Sequence, residues 1–98
     1  MQVSMDEIVT VVGSAAAALT SLSYVPQVKK AWPKGSTDDI SWKMLLALTT
    51  GLILWIIYGL SKSDWVIAVA NAVGASLTGV VLVFKFRDIL SRRHTSTN

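Results

Sequence analysis

Three long stretches of the chain contain no charged side chain, and charged residues separate them. The uncharged stretches cover residues 8–28, 44–61 and 65–84. As α-helices rising about 1.5 Å per residue they would be roughly 27 to 32 Å long, which matches a bilayer hydrocarbon core of about 30 Å. The ten-residue alternation that marks the strands of a membrane β-barrel is absent from the sequence. The pattern predicts an all-α membrane protein, a single domain over residues 1–98 with three transmembrane helices.

The composition supports lipid as the main solvent. Hydrophobic residues make up 52% of the chain and charged residues 15%, whereas roughly 25% charged residues are usual in soluble domains. There is no cysteine, which excludes disulfides, thiolate metal sites and cysteine nucleophiles. The net charge of +3 does not indicate nucleic-acid binding, because the basic residues lie between long uncharged runs. No constellation of catalytic groups is visible, so we expect no enzyme, no metal and no cofactor.

Basic residues are distributed unevenly among the segments outside the predicted helices. The loop 29–43 and the tail 85–98 each contain four Lys or Arg, whereas the turn 61–64 contains only Lys62. Because cytoplasmic segments are enriched in Lys and Arg, the loop and the tail are predicted to be cytoplasmic and the N-terminus to lie outside. Asp39 or Ser41 is the expected N-cap of the second helix.

Pro26 lies inside the first predicted helix, near its cytoplasmic end. Proline lacks the amide hydrogen and its ring collides with the preceding turn, so it kinks a helix. Two interpretations are open: a passive kink, or a hinge beside the inner mouth of a transport path. In the second interpretation Gln27 lies on the moving end, where two copies approach each other and form an inner gate.

Trp55 and Asn71 are expected at the same depth in the membrane. Each is the seventh residue from the outer end of its predicted helix, roughly 10 Å below the outer boundary. An amide that donates and accepts hydrogen bonds, level with an indole face, suits a neutral polyhydroxylated ligand such as a sugar. The alternative is an interhelical hydrogen bond that only holds helices together, worth about 0.6 to 2 kcal/mol.

Four motifs in sequence order resemble those of the SemiSWEET family, bacterial half-transporter relatives of the SWEET sugar transporters in the PQ-loop superfamily. The motifs are Tyr24-Val25-Pro26-Gln27, Asp39-Ile40-Ser41, Leu54-Trp55-Ile56-Ile57-Tyr58-Gly59 and Ala70-Asn71-Ala72-Val73. Their occurrence in this order in a chain with three predicted helices is specific, and the resemblance covers about residues 8–86.

The resemblance implies a parallel homodimer in the bacterial inner membrane, with helix 3 between helices 1 and 2 in each protomer. It also implies a sugar uniporter that works by alternating access without ion coupling, with Trp55 and Asn71 binding the substrate. The outer gate of the family uses a tyrosine with a nearby basic and acidic residue, which here would be Tyr58, Lys62 and Asp64. Lys62 in place of an arginine makes a less rigid ion pair.

Two other classes of membrane protein compete with this interpretation. A small multidrug-type exporter normally has four helices and an embedded carboxylate for proton coupling, and the three uncharged stretches contain neither Asp nor Glu. A non-transporting membrane assembly protein is distinguished only by the pairing of Trp55 with Asn71. The expected partners are therefore a second copy of the chain, a sugar and the lipid bilayer.

Overall fold

The computed structural model describes residues 2–96, which form three long helices. α1 spans Met5–Ala31, α2 spans Trp42–Ser61 and α3 spans Trp65–Ser96. Each of them is long and apolar enough to cross a membrane, and residues 2–96 contain no strand. The predicted fold class, an all-α membrane protein with three transmembrane helices, is confirmed.

α3 lies between the other two helices and packs against both. Within residues 2–96, the backbones of α1 and α2 do not come close to each other, which is the order that the resemblance implies. The three helices meet at Gly74 of α3, where a Cβ atom would lie 3.1 Å from the Tyr24 ring of α1 and 3.4 Å from the Leu52 side chain of α2. The missing side chain at this position therefore lets both neighbours approach α3.

Each helix extends beyond its uncharged stretch at one end or at both. The Ser4 hydroxyl accepts a hydrogen bond from the Glu7 amide at 3.1 Å and caps α1. Of the two expected caps of α2, Ser41 is the observed one, accepting from the Met44 amide at 3.2 Å. α3 continues to Ser96, so most of the predicted tail 85–98 is helical.

The buried part of α1 lies at one end of the helix. Ala31, its last residue, is the only buried residue in this helix. It forms a small apolar core with Leu45 of α2 and Val81 of α3, and Val28 packs against this core. We define the end of the protomer that carries this core and the loop 32–41 as the inner end. The end that carries the turn 62–64 is the outer end.

Candidate functional site

A cleft of about 440 Å³ lies between α1 and α3 in the outer half of the protomer. Small side chains of α1, including Gly13 and Ala17, form one wall, and the first turns of α3 form the other. The polar side chains that line it are Thr10, Thr20, Ser21, Tyr24, Asp64 and Asn71. A lining of hydroxyls, one amide and one carboxylate between apolar walls offers donors and acceptors to a ligand with several hydroxyl groups.

Asn71 is partly buried in this cleft and its orientation is fixed from within α3. Its Nδ2 group donates to the Ile67 carbonyl at 2.8 Å. An asparagine amide has two N–H donors and an acceptor oxygen, so one donor is used and the group keeps both a donor and an acceptor for a ligand.

Trp55 of α2 is not among the described residues that line the cleft. Its side chain is 52% exposed, and its ring meets that of Tyr58 edge to face at 5.5 Å and 88°. The protomer therefore brings Trp55 together with Tyr58, and Trp55 does not line the cleft that Asn71 lines. The exposed indole faces away from the protomer, where lipid, a ligand or a second copy can reach it.

The outer turn places Asp64 at the start of α3. Its Oδ1 atom accepts from the Ile67 amide at 3.2 Å, and its own amide donates to the Gly59 carbonyl at 2.7 Å. No ion pair joins Lys62 to Asp64 among the described residues. In the single protomer Asp64 is thus a helix cap, and the outer gate of Tyr58, Lys62 and Asp64 stays a prediction.

Pro26 and Gln27 are exposed and lie inside the continuous helix α1. Tyr24, two residues before the proline, lines the inner edge of the cleft. Pro26 is therefore located between the cleft and the buried Ala31, where a bend would change the width of the cleft. Its role as a hinge, with Gln27 as inner gate, stays a prediction.

A buried polar cluster that the sequence pattern does not predict lies at the inner end, centred on Asp88. The carboxylate, on a residue only 3% exposed, accepts hydrogen bonds from the Gly35 amide at 2.9 Å and the Thr37 amide at 3.2 Å. The Thr37 hydroxyl donates to it at 2.6 Å and Arg87 Nε at 2.8 Å. Lys85, 7% exposed, donates to the Thr37 carbonyl at 2.7 Å. We term these five residues the inner clamp.

Arg87 also connects the inner clamp to the end of α1. Its guanidinium donates to the carbonyl oxygens of Ala31, Trp32 and Pro33, at 3.2, 2.9 and 3.0 Å. The last carbonyls of a helix have no partner within the helix and carry partial negative charge, so a cation there is favourable. A sequence signal for this cluster existed, because Asp88 is the one acidic residue after Asp64 and stands in an otherwise basic segment.

Known proteins resemble this chain over most of its length. The family described as PQ loop repeat matches residues 8–67. A protein named Sugar transporter SemiSWEET from Bradyrhizobium diazoefficiens is 41% identical over 80 residues, which cover 82% of this chain and 93% of the relative. A protein of the same name from Escherichia coli (strain UMEA 3162-1) is 38% identical over 89 residues, covering 91% and 96%.

A solved structure agrees with these relatives. The crystal structure of a SemiSWEET in the inward-open conformation superposes with a TM-score of 0.83 at 32% identity, covering 96% of this chain and 100% of that one. The chain belongs to the SemiSWEET family of PQ-loop proteins. Membership in the SemiSWEET family confirms the resemblance seen in the four motifs and the prediction of a membrane protein. It also confirms that the chain is not an enzyme, since the relatives carry the name of transporters.

Proposed function

We propose that this SemiSWEET-family protein transports a neutral mono- or disaccharide across the membrane. The observation that carries the proposal is its similarity, over nearly the whole chain, to proteins named as sugar transporters. Alternating access is the proposed mechanism. The solved relative is described as inward-open, and an inward-open state is one of the two states that an alternating-access carrier must visit.

The transporting unit we propose is a parallel homodimer with its two-fold axis along the membrane normal. In one protomer Asn71 lies in the cleft while Trp55 stays exposed on α2, so one protomer alone does not enclose a site that contains both. A second copy, related by two-fold symmetry, would enclose a central path between the protomers. The asymmetry of basic residues orients both copies alike, with the N-terminus outside and the C-terminus in the cytoplasm. The proposed location is the bacterial inner membrane.

The transport is proposed to be uncoupled from ions. The three uncharged stretches supply no carboxylate that could carry a proton through the membrane. Asp64, at the outer rim of the cleft, accepts the amide hydrogen that starts α3. A gradient of protons therefore has no group within the apolar layer through which to drive accumulation, and sugar should only equilibrate.

Uptake of radiolabelled mono- and disaccharides into proteoliposomes tests the proposal. Wild-type protein should equilibrate at least one of them, with or without a pH gradient. Asn71→Ala and Trp55→Ala should each abolish uptake, and each affects two contacts because of the two-fold symmetry. Ser76→Ala is the matched control on α3, since Ser76 also donates to a carbonyl four residues earlier, at 2.8 Å. Trp65→Ala, at a tryptophan that is 67% exposed, is the control for Trp55.

Normal uptake by both Asn71→Ala and Trp55→Ala would indicate that Trp55 and Asn71 contribute only to packing. Accumulation above the external concentration under a pH gradient would contradict uncoupled transport. Absence of uptake for every sugar by wild-type protein, folded and dimeric, would favour the non-transporting assembly protein instead.

A further inference from the structure

We propose that Asp88 and Arg87 are positioning residues that hold the inner end of α1, the loop 32–41 and the inner end of α3 together as one rigid unit. When the inner mouth opens or closes, this unit moves as a whole. Only the consequence for transport rests on the proposed function, because rigidity of the unit is a property of the chain itself.

The Asp88 carboxylate of α3 holds the loop 32–41, because backbone amides of the loop surround it. Gly35 has a φ of 85°, the left-handed conformation that glycine adopts without strain. The turn directs the amides of Gly35 and Thr37 and the Thr37 hydroxyl at the two oxygens of Asp88. Hydrogen bonds to an ionised acceptor are about twice as strong as neutral ones, and burial keeps water from replacing them.

The end of α1 is held by the neighbouring side chain on α3. The Arg87 guanidinium binds three successive carbonyls, from Ala31 to Pro33, while its Nε donates to Asp88. Adjacent residues on one turn of α3 thus hold the last turn of α1 and the loop at the same time. Neither the loop nor the end of α1 can shift relative to α3 without breaking several of these bonds.

The rest of α1 has no comparable attachment. Among the described residues, no side-chain hydrogen bond joins residues 5–29 to α2 or α3. Residues of α1 from Val9 to Tyr24 line the cleft instead. Pro26 lies between this outer part and the clamped Ala31. A bend at Pro26 would therefore swing the outer part of α1 against α3, while Gln27 would move together with the rigid unit.

The inner clamp is not needed to insert the helices. Each of the three is apolar enough to span a membrane by itself, and helices of this kind insert first and associate afterwards. Loss of the clamp is therefore expected to loosen the inner ends without removing the helices from the bilayer.

Distance measurements between two spin labels test the rigid unit directly. The chain has no cysteine, so Lys29→Cys on α1 and Leu90→Cys on α3, both exposed, can be labelled specifically. Labelled protein diluted with unlabelled protein in liposomes then reports, by double electron–electron resonance, the distance within one protomer. We expect one narrow distance peak that does not shift when saturating sugar is added.

Asp88→Asn should lose this narrow peak and give a broad distribution. Asparagine has the same shape but one acceptor oxygen, and its amide group would face the loop donors. Asp39→Asn is the matched control, since Asp39 is exposed and pairs with Lys30 at 3.6 Å on the surface, and the peak should stay narrow. Thr37→Val is a milder second variant that removes only the hydroxyl and should broaden the peak less.

A broad peak in the wild type, or a narrow one in both Asp88→Asn and Thr37→Val, would overturn the rigid unit. This result does not depend on transport, so it stands even if the wild type moves no sugar and the proposed function fails.

The transport arm tests positioning separately. Sugar uptake by Asp88→Asn should fall about tenfold, a factor that corresponds to about 1.4 kcal/mol. Sugar binding should be unchanged when followed by Trp55 fluorescence with the other three tryptophans replaced by phenylalanine. Wild-type uptake by a variant with a broad peak would overturn the positioning role.

Discussion

The two ends of the protomer are closed by different kinds of interaction. At the outer end, α2 and α3 are joined by the turn 62–64, and its hydrogen bonds link residues at most five positions apart, as from Asp64 to Gly59. At the inner end, the bonds from Asp88, Arg87 and Lys85 to the loop and the end of α1 link residues 48 to 56 positions apart, as from Lys85 to Thr37. The outer end is therefore determined locally, whereas the inner end depends on the tertiary arrangement.

This difference suggests where the protomer can change shape. α2 and α3 form a helical hairpin that the turn 62–64 holds together. Ser63 in this turn adopts the left-handed conformation, with a φ of 53°. α1 shares no such turn with α3, and the side-chain hydrogen bonds described between the end of α1 and α3 come from Arg87 of the inner clamp, next to the small core around Ala31. The outer part of α1, beside the cleft, is therefore the part that we expect to move.

The largest expected effect comes from removing the carboxylate of the inner clamp. Asp88→Ala leaves Arg87 without its carboxylate partner and leaves the amides and hydroxyl of the loop without an acceptor. Breaking one partner of a buried ion pair typically costs about 3–5 kcal/mol. We expect a decrease of that size in the free energy of unfolding, measured by titration with SDS in mixed micelles.

Asp38→Ala provides the contrast for this measurement. Asp38 also pairs with an arginine of α3, Arg92, but both side chains are largely exposed, at 70% and 61%. Exposed pairs contribute about 0–1 kcal/mol. Equal losses for the two variants would contradict the distinction between a buried clamp and a solvated surface at the inner end.

A medium effect is expected from filling the closest contact of the outer end. A Cβ atom at Gly59 would lie 2.8 Å from the Ala68 backbone nitrogen and 3.0 Å from the Ile67 side chain. Since a backbone atom cannot rotate away, Gly59→Ala should push α2 from α3 and cost about 1–3 kcal/mol. Gly51→Ala, with no atom within 4 Å of the added Cβ, is the control and should not destabilise the protein.

The SDS titration distinguishes these two glycine variants. If Gly59→Ala unfolded at the same SDS fraction as Gly51→Ala, the close approach of α2 and α3 at the outer end would not contribute to stability. The inference that a local contact between α2 and α3 stabilises the outer end would then be wrong.

The sequence predicts the local part of the fold well and the long-range part poorly. Uncharged stretches indicate the thickness of the apolar layer, so three helices follow from them, but they do not show where a helix ends in water. For this reason the extension of α3 to Ser96, beyond residue 84, was not predicted. Ser41 was one of two expected caps because capping depends on residues three positions apart.

The inner clamp was not predicted because charged residues beyond an apolar stretch are usually solvated. Asp88 in a basic segment satisfies the pattern of a cytoplasmic tail equally well whether it is exposed or buried. Its partners, Gly35 and Thr37, lie in a loop whose turn residues look polar and solvated for the same reason. Only the packing of α3 between α1 and α2 brings the two segments together.

The equal depth of Trp55 and Asn71 stays a prediction, and the sequence does not predict which way either side chain points. Counting residues along straight helices gives depth but not the direction of a side chain around the helix. In the protomer Asn71 points into the α1–α3 cleft, and Trp55 lies exposed beside Tyr58. In the proposed dimer, a second copy would bring Trp55 and Asn71 to one common path.

The smallest expected effects concern the two N-caps, which are alike at the two ends. The Ser41 hydroxyl accepts from the Met44 amide and the Asp64 carboxylate from the Ile67 amide, both at 3.2 Å. Because each cap acts only on its own first turn, Ser41→Ala and Asp64→Ala should each cost about 1 kcal/mol of the unfolding free energy. Asp64→Ala should cost up to about 1 kcal/mol more, since its negative charge also interacts with the helix dipole. Stability losses of this small size, combined with a much larger loss of sugar uptake in Asp64→Ala than in Ser41→Ala, would support a gate role for this carboxylate. If uptake fell equally in both variants, Asp64 would be a helix cap only, and the outer end would contribute its short turn and nothing more to the transport path.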